Sequence, residues 1–382
     1  MSTPGTEPTP QREPGSEPVS GVAVPGGAVA ATKASLIAAA TQHSIPYHRL
    51  QRIAAGYAWW KPALAVAITA LGVFAVTQLY VFLLPHVLPG DVLLEVIGDL
   101  STGDIDTATP ASLAITLLSV AVWLPIGFLA YRLVGFRPVG MLSSIVGRIR
   151  WKWLLLMMAL SVGMVIVAMV VASVIMAAAL PLGDGDLSFG DRTWDQPGDE
   201  LAALAAVESR LVPMEQFLAS AAVILLLVPF QAAAEEYVFR GVLFQSFGSW
   251  LRWPLAAVLP GAVLFALGHV YDIWGLLSVS ILGLGFAWLT WRTGGLESAI
   301  AMHSIYNAVQ MLLLASGLLG TTVAEGSAEG SPWSLLYPAV LVLIAVLVVH
   351  LISSAPWPSA APSGRADTPS GVGMPGDGGT LQ

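Results

Sequence analysis

The 382-residue sequence predicts an all-α membrane protein, a polytopic bundle of about eight transmembrane helices between disordered N- and C-terminal tails. Three observations lead there. Hydrophobic residues make up 56% of the chain and charged residues 10%, whereas soluble domains carry about 25% charged residues. Long stretches without Asp, Glu, Lys or Arg recur along the chain, and the loops between them alternate in charge. A chain this apolar needs lipid over most of its surface.

Residues 1–30 are rich in Pro, Gly, Ser, Thr and Glu and lack the basic and apolar regions of a signal peptide, so 1–45 is expected to be a disordered tail. Residues 355–382 have the same character. A spanning helix needs about 20 mostly apolar residues. Eight uncharged stretches meet or approach this: 62–90, 107–131, 153–183, 216–234, 253–271, 273–291, 298–324 and 331–364. The fourth is expected to run on through Glu235, and the fifth and sixth, separated by Asp272, to form a tight hairpin or include a tilted helix. The resulting organisation is a tail at 1–45, three helices with acidic external loops at 46–215, a helical core at 216–320, a last helix at 321–354 and a tail at 355–382.

Loop charge sets the orientation. The 132–152 loop holds Arg132, Arg137, Arg148, Arg150 and Lys152 and no acid, and Arg49, Arg52 and Lys61 precede the first helix. The 85–110 loop holds Asp91, Glu95, Asp99, Asp104 and Asp106 and no base, and the 184–215 loop has eight acids against Arg192 and Arg210. Basic loops stay cytoplasmic. Both termini are therefore expected in the cytoplasm, with Arg252 and Arg292 inside and Glu325 and Glu329 outside. The net charge of −8 argues against a nucleic-acid partner. The absence of cysteine excludes disulfides, Cys-ligated zinc, iron–sulfur clusters and a thiol nucleophile.

Ionisable groups at membrane depth are costly and mark function by default. They cluster in the second half of the chain. In Glu235-Glu236-Tyr-Val-Phe-Arg240, Glu236 and Arg240 share a helix face and can pair, while Glu235 points about 100° away without an obvious local partner. A carboxylate so placed can act as a general base; the plainer alternative is three solvated residues at a helix end. Phe265 and His269 are likewise four apart, as are His303 and Asn307. Alone, each of these pairs is more often helix packing or helix–helix hydrogen bonding than chemistry. Together they offer a base, a water-polarising group and oxyanion donors, the requirements of hydrolysis. Asp272 and Tyr271, beside His269, could join a proton path. No HExxH, GxSxG or Walker-type pattern competes.

At these residues the sequence resembles the CPBP family of intramembrane proteases, the CAAX-protease and bacteriocin-processing or Abi family. Its motifs EExxxR, FxxxH and HxxxN are matched by Glu235-Glu236-x-x-x-Arg240, Phe265-x-x-x-His269 and His303-x-x-x-Asn307, over about residues 217–320. The resemblance implies peptide-bond hydrolysis within the membrane. Glu235 would activate water, His269 would position it, and His303 and Asn307 would hold the oxyanion. Glu236, Arg240 and Phe265 would support the site. The family is often labelled metalloprotease. Glu235, His269 and His303 could ligate zinc, but no cofactor is expected, because Glu235 cannot easily be both ligand and sole base.

Expected partners are membrane lipid and a membrane-tethered or lipidated peptide, in a bacterial inner or plasma membrane; the chain's bias to Ala, Val, Gly and Arg over Lys is the compositional basis for a bacterial source. The position of Glu235 late in an inward-running helix and of His269 late in an outward-running one implies unequal depths, which a kink at Pro229 would correct. The groups are expected to converge in a cavity reached by water from the cytoplasm. Two other readings stay open. One is a non-catalytic scaffold or bacteriocin self-immunity protein. The other is a proton-coupled transporter with broken helices, for which Pro229 and the Gly283/Gly285 pair are the hints.

Overall fold

The computed structural model describes residues 45–102, 105–179, 211–323 and 331–354. The predicted tails, most of the 184–215 loop, Glu325 and Glu329 lie outside the described residues. The described chain is helical. A 3-10 segment, Tyr47–Ile53, precedes α1 (Lys61–Val87), α2 (Gly90–Thr102), α3 (Pro110–Ala121) and α4 (Leu124–Val134). There follow α5 (Trp151–Ala179), α6 (Met214–Glu236), a π-helical segment (Tyr237–Leu243) and α7 (Phe244–Trp250). The last elements are α8 (Pro254–Leu267), α9 (Ile273–Thr293), α10 (Glu297–Ala315) and α11 (Leu336–Ser354).

Among the described residues, seven spans are long and apolar enough to cross a membrane, and the eighth expected one is shorter. That shorter helix is α8. It runs Pro254–Leu267, 14 residues with Gly268 as its C-cap, about 21 Å, against a hydrocarbon core of about 30 Å. It forms a hairpin with α9, and Asp272 caps the return: its Oδ1 accepts the Gly275 N–H at 2.8 Å. The second expected span is Pro110–Val134, interrupted at Val122–Trp123 where α3 gives way to α4. The fourth runs unbroken from Met214 to Trp250, 37 residues.

The 85–110 segment is more than the acidic loop its sequence suggests. Gly90–Thr102 is helical and lies against α3, where the Ser112 hydroxyl donates to Asp99 Oδ2 at 2.5 Å. Burial raises the Asp99 carboxyl above the usual carboxylate range, and the bond from Ser112 partly opposes this. Its acids punctuate an apolar pattern (Val92, Leu93, Val96, Ile97) that helical spacing gathers on one side, a signal masked by counting charges alone.

The helices run alternately between two ends. One end gathers the 3-10 segment, the 135–150 loop, α7 and the α9–α10 turn. Short backbone pairings tie these together, Ala55 with Arg137 and Ser144 with Gly295. Every described Lys and Arg except Arg240 lies at this end, with the exposed Trp59, Trp60, Trp151, Trp250, Trp253 and Trp291 around them, the pattern of an interfacial aromatic belt. The other end joins Thr107 to Thr321, Ile105 to Val323 and Val212 to Ser316 by backbone hydrogen bonds, and carries Asp91, Glu95, Asp99, Asp106 and Glu215. The start of α11 meets early α9, where Ser278 Oγ donates to Ser334 O. Further along, Gly285 and Leu289 face Val342 and Ala345, so α11 runs parallel to α9 and ends at the basic end. Residues 45 and 354 thus lie on the same side of the bundle.

The lipid-facing sides of α1, α5 and α11 are apolar, and the core lies where α6 and α10 pack face to face, flanked by α3 and α5. At the basic end the 3-10 segment crosses α7. His48 is buried and stacks on Phe244 with centroids 5.4 Å apart; burial lowers its pKa from the ordinary histidine value, favouring the neutral ring. Gln51 donates to Tyr131 Oη at 2.7 Å and to Ser246 Oγ at 3.0 Å, and Tyr131 donates to Gln245 Oε1 at 3.0 Å. This crossing requires Gly248, because a Cβ there would sit 2.0 Å from the His48 carbonyl oxygen. Gly248→Ala should therefore cost about 1–3 kcal/mol, read as a lower melting temperature in detergent. Gly163→Ala, with nothing within 4 Å of the added carbon, should leave it unchanged.

Candidate active site

α6 ends at Glu236 and the chain continues in a wider π turn before α7 resumes regular geometry. Such turns are rare and concentrate at functional sites. Pro229 lies within α6, which continues through it; the irregular turn comes eight residues later. Because the helical rod continues 14 residues past Glu236 to Trp250, Glu235 stands in mid-span rather than near a helix end. From there Glu235 reaches His303 at 3.5 Å.

Arg240 is 2% exposed and fully engaged. Its guanidinium donates to Glu236 Oε1 and to the Gly283 carbonyl, both at 3.0 Å, and stacks on the Phe265 ring with its central carbon 4.2 Å from the centroid. A guanidinium supplies this fork and flat face together. Gly283 makes room for it: a Cβ there would lie 3.1 Å from the Arg240 nitrogen and 3.3 Å from Phe265. α9 is continuous through Gly283, and Gly285 packs against Val342 on α11. These glycines therefore serve helix packing, not a helix break.

Glu236 is wholly buried, and the same Oε1 that accepts from Arg240 lies 2.9 Å from His303 Nδ1. A carboxylate oxygen accepts, so Nδ1 carries a hydrogen. The other ring nitrogen, Nε2, faces Glu235 Oε2 at 3.5 Å. That oxygen is buried and has no hydrogen-bond partner among the described residues, and the same holds for Glu236 Oε2. His303 thus sits between two carboxylates from adjacent positions on another helix. Its ring is held by Phe286, stacked at 5.0 Å, and by the edge of Phe265 at 6.1 Å.

The three motifs do not meet equally. Glu235, Glu236, Arg240, His303 and Phe265 are brought together. Asn307 does not pair with His303 as a free donor; its Nδ2 donates to Gln231 Oε1 at 3.2 Å. His269 is half-buried beside Phe265. Its Nδ1 is 2.8 Å from the Phe265 carbonyl and must donate to it, which leaves a lone pair on Nε2. Its ring also contacts Phe265 at 4.9 Å and Tyr271 at 5.5 Å. Zinc would need Glu235, His269 and His303 around one point, and among the described residues no group of three or more His, Asp or Glu side chains is arranged to hold a metal ion.

Three contributors escape the motif reading. Gln231 lies one turn before Glu235 in an apolar run, and its polarity at that depth is a legible signal. Phe286 and the Gly283 carbonyl carry no such signal, since an apolar residue and a backbone oxygen look alike in any spanning helix.

Residues 217–309 match the family described as type II CAAX prenyl endopeptidase, Rce1-like. An uncharacterised protein of Bacillus subtilis (strain 168), YyaK, is 35% identical over 92 residues, covering 22% of this chain and 30% of the relative. The match therefore spans less than a third of that relative's length. No solved structure matches the chain. The stretch that carries all three motifs, residues 217–309, is thus similar to the Rce1-like type II CAAX prenyl endopeptidases, and the spans outside it have no counterpart in that match.

Proposed function

We propose that this chain is an intramembrane endopeptidase that hydrolyses a peptide bond of a membrane-tethered, CAAX-like substrate with water activated by Glu235. The observation that carries the reading is the pairing of Glu235 with His303 at 3.5 Å across two helices, with Glu235 Oε2 otherwise unpartnered. Glu236 and Arg240 are committed to each other, so Glu235 is the carboxylate free to take a proton.

In this mechanism Glu235 removes a proton from water and the hydroxide forms a C–O bond to the scissile carbonyl carbon. The carbonyl π electrons move to oxygen, and the second N–H of Asn307 donates to that oxyanion. His303, expected to share the oxyanion with Asn307, has Nδ1 on Glu236 and Nε2 facing Glu235, so in this mechanism it instead receives the proton from Glu235 at Nε2, becoming an imidazolium held between two carboxylates. It then gives the proton to the nitrogen of the leaving amine as the C–N bond breaks. His269 orients the water through the Nε2 lone pair. Glu236 fixes the His303 tautomer through Nδ1, and Arg240 holds Glu236. No metal or other cofactor takes part.

The basic end, by the positive-inside rule, faces the cytoplasm. Water and a lipidated or otherwise tethered peptide reach the site from there, in a bacterial plasma membrane.

The test uses the full chain purified in detergent, with fluorogenic peptides carrying a prenyl anchor, a transmembrane anchor or none. Cleavage of anchored peptides that persists with a zinc chelator is the expected result. Cleavage abolished by chelator and restored by zinc would overturn the metal-free mechanism. Failure to cleave any anchored peptide would overturn the proposed activity.

A further inference from the structure

We propose that Gln231 is a positioning residue of this site, acting through Asn307 to keep an amide N–H directed at the oxyanion; the inference rests on the hydrolytic reading above. Gln231 is 8% exposed and lies in the apolar run Leu225–Ala234 of α6. A carboxamide at that depth without a partner is costly. Its partner is Asn307, whose Nδ2 donates to Gln231 Oε1 at 3.2 Å.

The positions repeat across the α6–α10 contact. Gln231 and Glu235 are four apart on α6, and Asn307 and His303 are four apart on α10. Glu235 faces His303 at 3.5 Å and Gln231 faces Asn307 at 3.2 Å. The second pair therefore sits one turn from the first, towards the acidic end.

A primary amide can present its nitrogen or, after a half turn, its oxygen. Only the nitrogen side donates to an oxyanion. With one N–H held by the Gln231 carbonyl oxygen, the second N–H on the same nitrogen remains for the oxyanion. Turned the other way, Asn307 Oδ1 would meet the Gln231 oxygen, acceptor against acceptor, and the bond would return only if Gln231 made the matching half turn. Gln231 thus couples its own amide orientation to that of Asn307 without touching substrate, and a carboxylate at 231, which can only accept, would hold the Asn307 nitrogen side in place.

The experiment is a double-mutant cycle on cleavage of a membrane-anchored peptide by the full chain. Gln231→Met, close in size but without an acceptor, should lower kcat by about 10- to 100-fold, part of the roughly 10²–10³ attached to an oxyanion donor, with KM changed less than about twofold. Gln231→Glu, which can only accept, should recover most of that loss. In an Asn307→Ala background Gln231→Met should cost nothing further, the mark of a residue acting through its neighbour. Full additivity of the two changes, a loss confined to KM, or full activity of Gln231→Met alongside an inactive Glu235→Gln would overturn the role of Gln231 alone. Equal activity of wild type and Glu235→Gln would overturn the hydrolytic reading and this role with it.

Discussion

Glu235→Gln should lower kcat for an anchored peptide by about 10²–10⁴-fold, the range attached to a positioned general base. The substitution keeps the shape of the side chain and removes its capacity to take a proton. Glu235 is the member of the cluster whose facing oxygen has no hydrogen-bond partner among the described residues, so its loss of charge leaves the Arg240–Glu236–His303 bonds in place. The melting temperature in detergent should consequently change little. A variant that is inactive because it has unfolded would show both effects, and a fully active variant would remove Glu235 from the chemistry.

Arg240→Leu should destabilise the protein by about 3–5 kcal/mol, the penalty for stranding one member of a buried ion pair. Glu236 is wholly buried, and Arg240 Nη1 reaches its Oε1 at 3.0 Å. Removing the guanidinium leaves that carboxylate with His303 alone and unbinds the Gly283 carbonyl. Chemical unfolding in detergent should register the loss. Arg240→Lys should not restore stability, since an ammonium cannot bond Glu236 and Gly283 while lying flat on Phe265. Glu236→Gln combined with Arg240→Leu should recover much of the loss, because no unpaired charge then remains. If Arg240→Leu unfolds at the same denaturant concentration as wild type, the ion pair contributes nothing to the fold.

The two predictions separate roles that the motif EExxxR runs together. Glu235 is tested by rate at constant stability, and Arg240 by stability. The pairing of Glu236 with Arg240 was legible because it lies within one helix, where four-residue spacing brings side chains together whatever surrounds them. The hydrogen bond from His303 Nδ1 to Glu236 joins residues 67 apart in the chain, and helical spacing says only which face His303 occupies. Which ring nitrogen meets which carboxylate follows from how α10 lies on α6, and from the Phe286 and Phe265 rings that hold the imidazole.

The same division runs through the architecture. The long apolar spans, the basic and acidic ends and the Asp272 turn were readable because each depends on composition or on residues close in sequence. The shortness of α8 was half-readable: Pro254 and Gly268 bound it, but an uncharged stretch of 253–271 looks long enough to span. α2 was hidden by its acids, although their spacing leaves an apolar side. The pairing of Asn307 with Gln231 was not readable, because a carboxamide at membrane depth announces only that it needs some partner.

The sequence by itself thus determined a helical membrane bundle, its charge asymmetry and the ionisable residues set at membrane depth, since lipid imposes length, apolarity and internal hydrogen bonding on every span. Only the tertiary structure decided which of those residues touch. Contacts between helices depend on side-chain packing and on rooms such as the one Gly283 leaves for Arg240, and no local pattern encodes the fit of two surfaces distant in the chain.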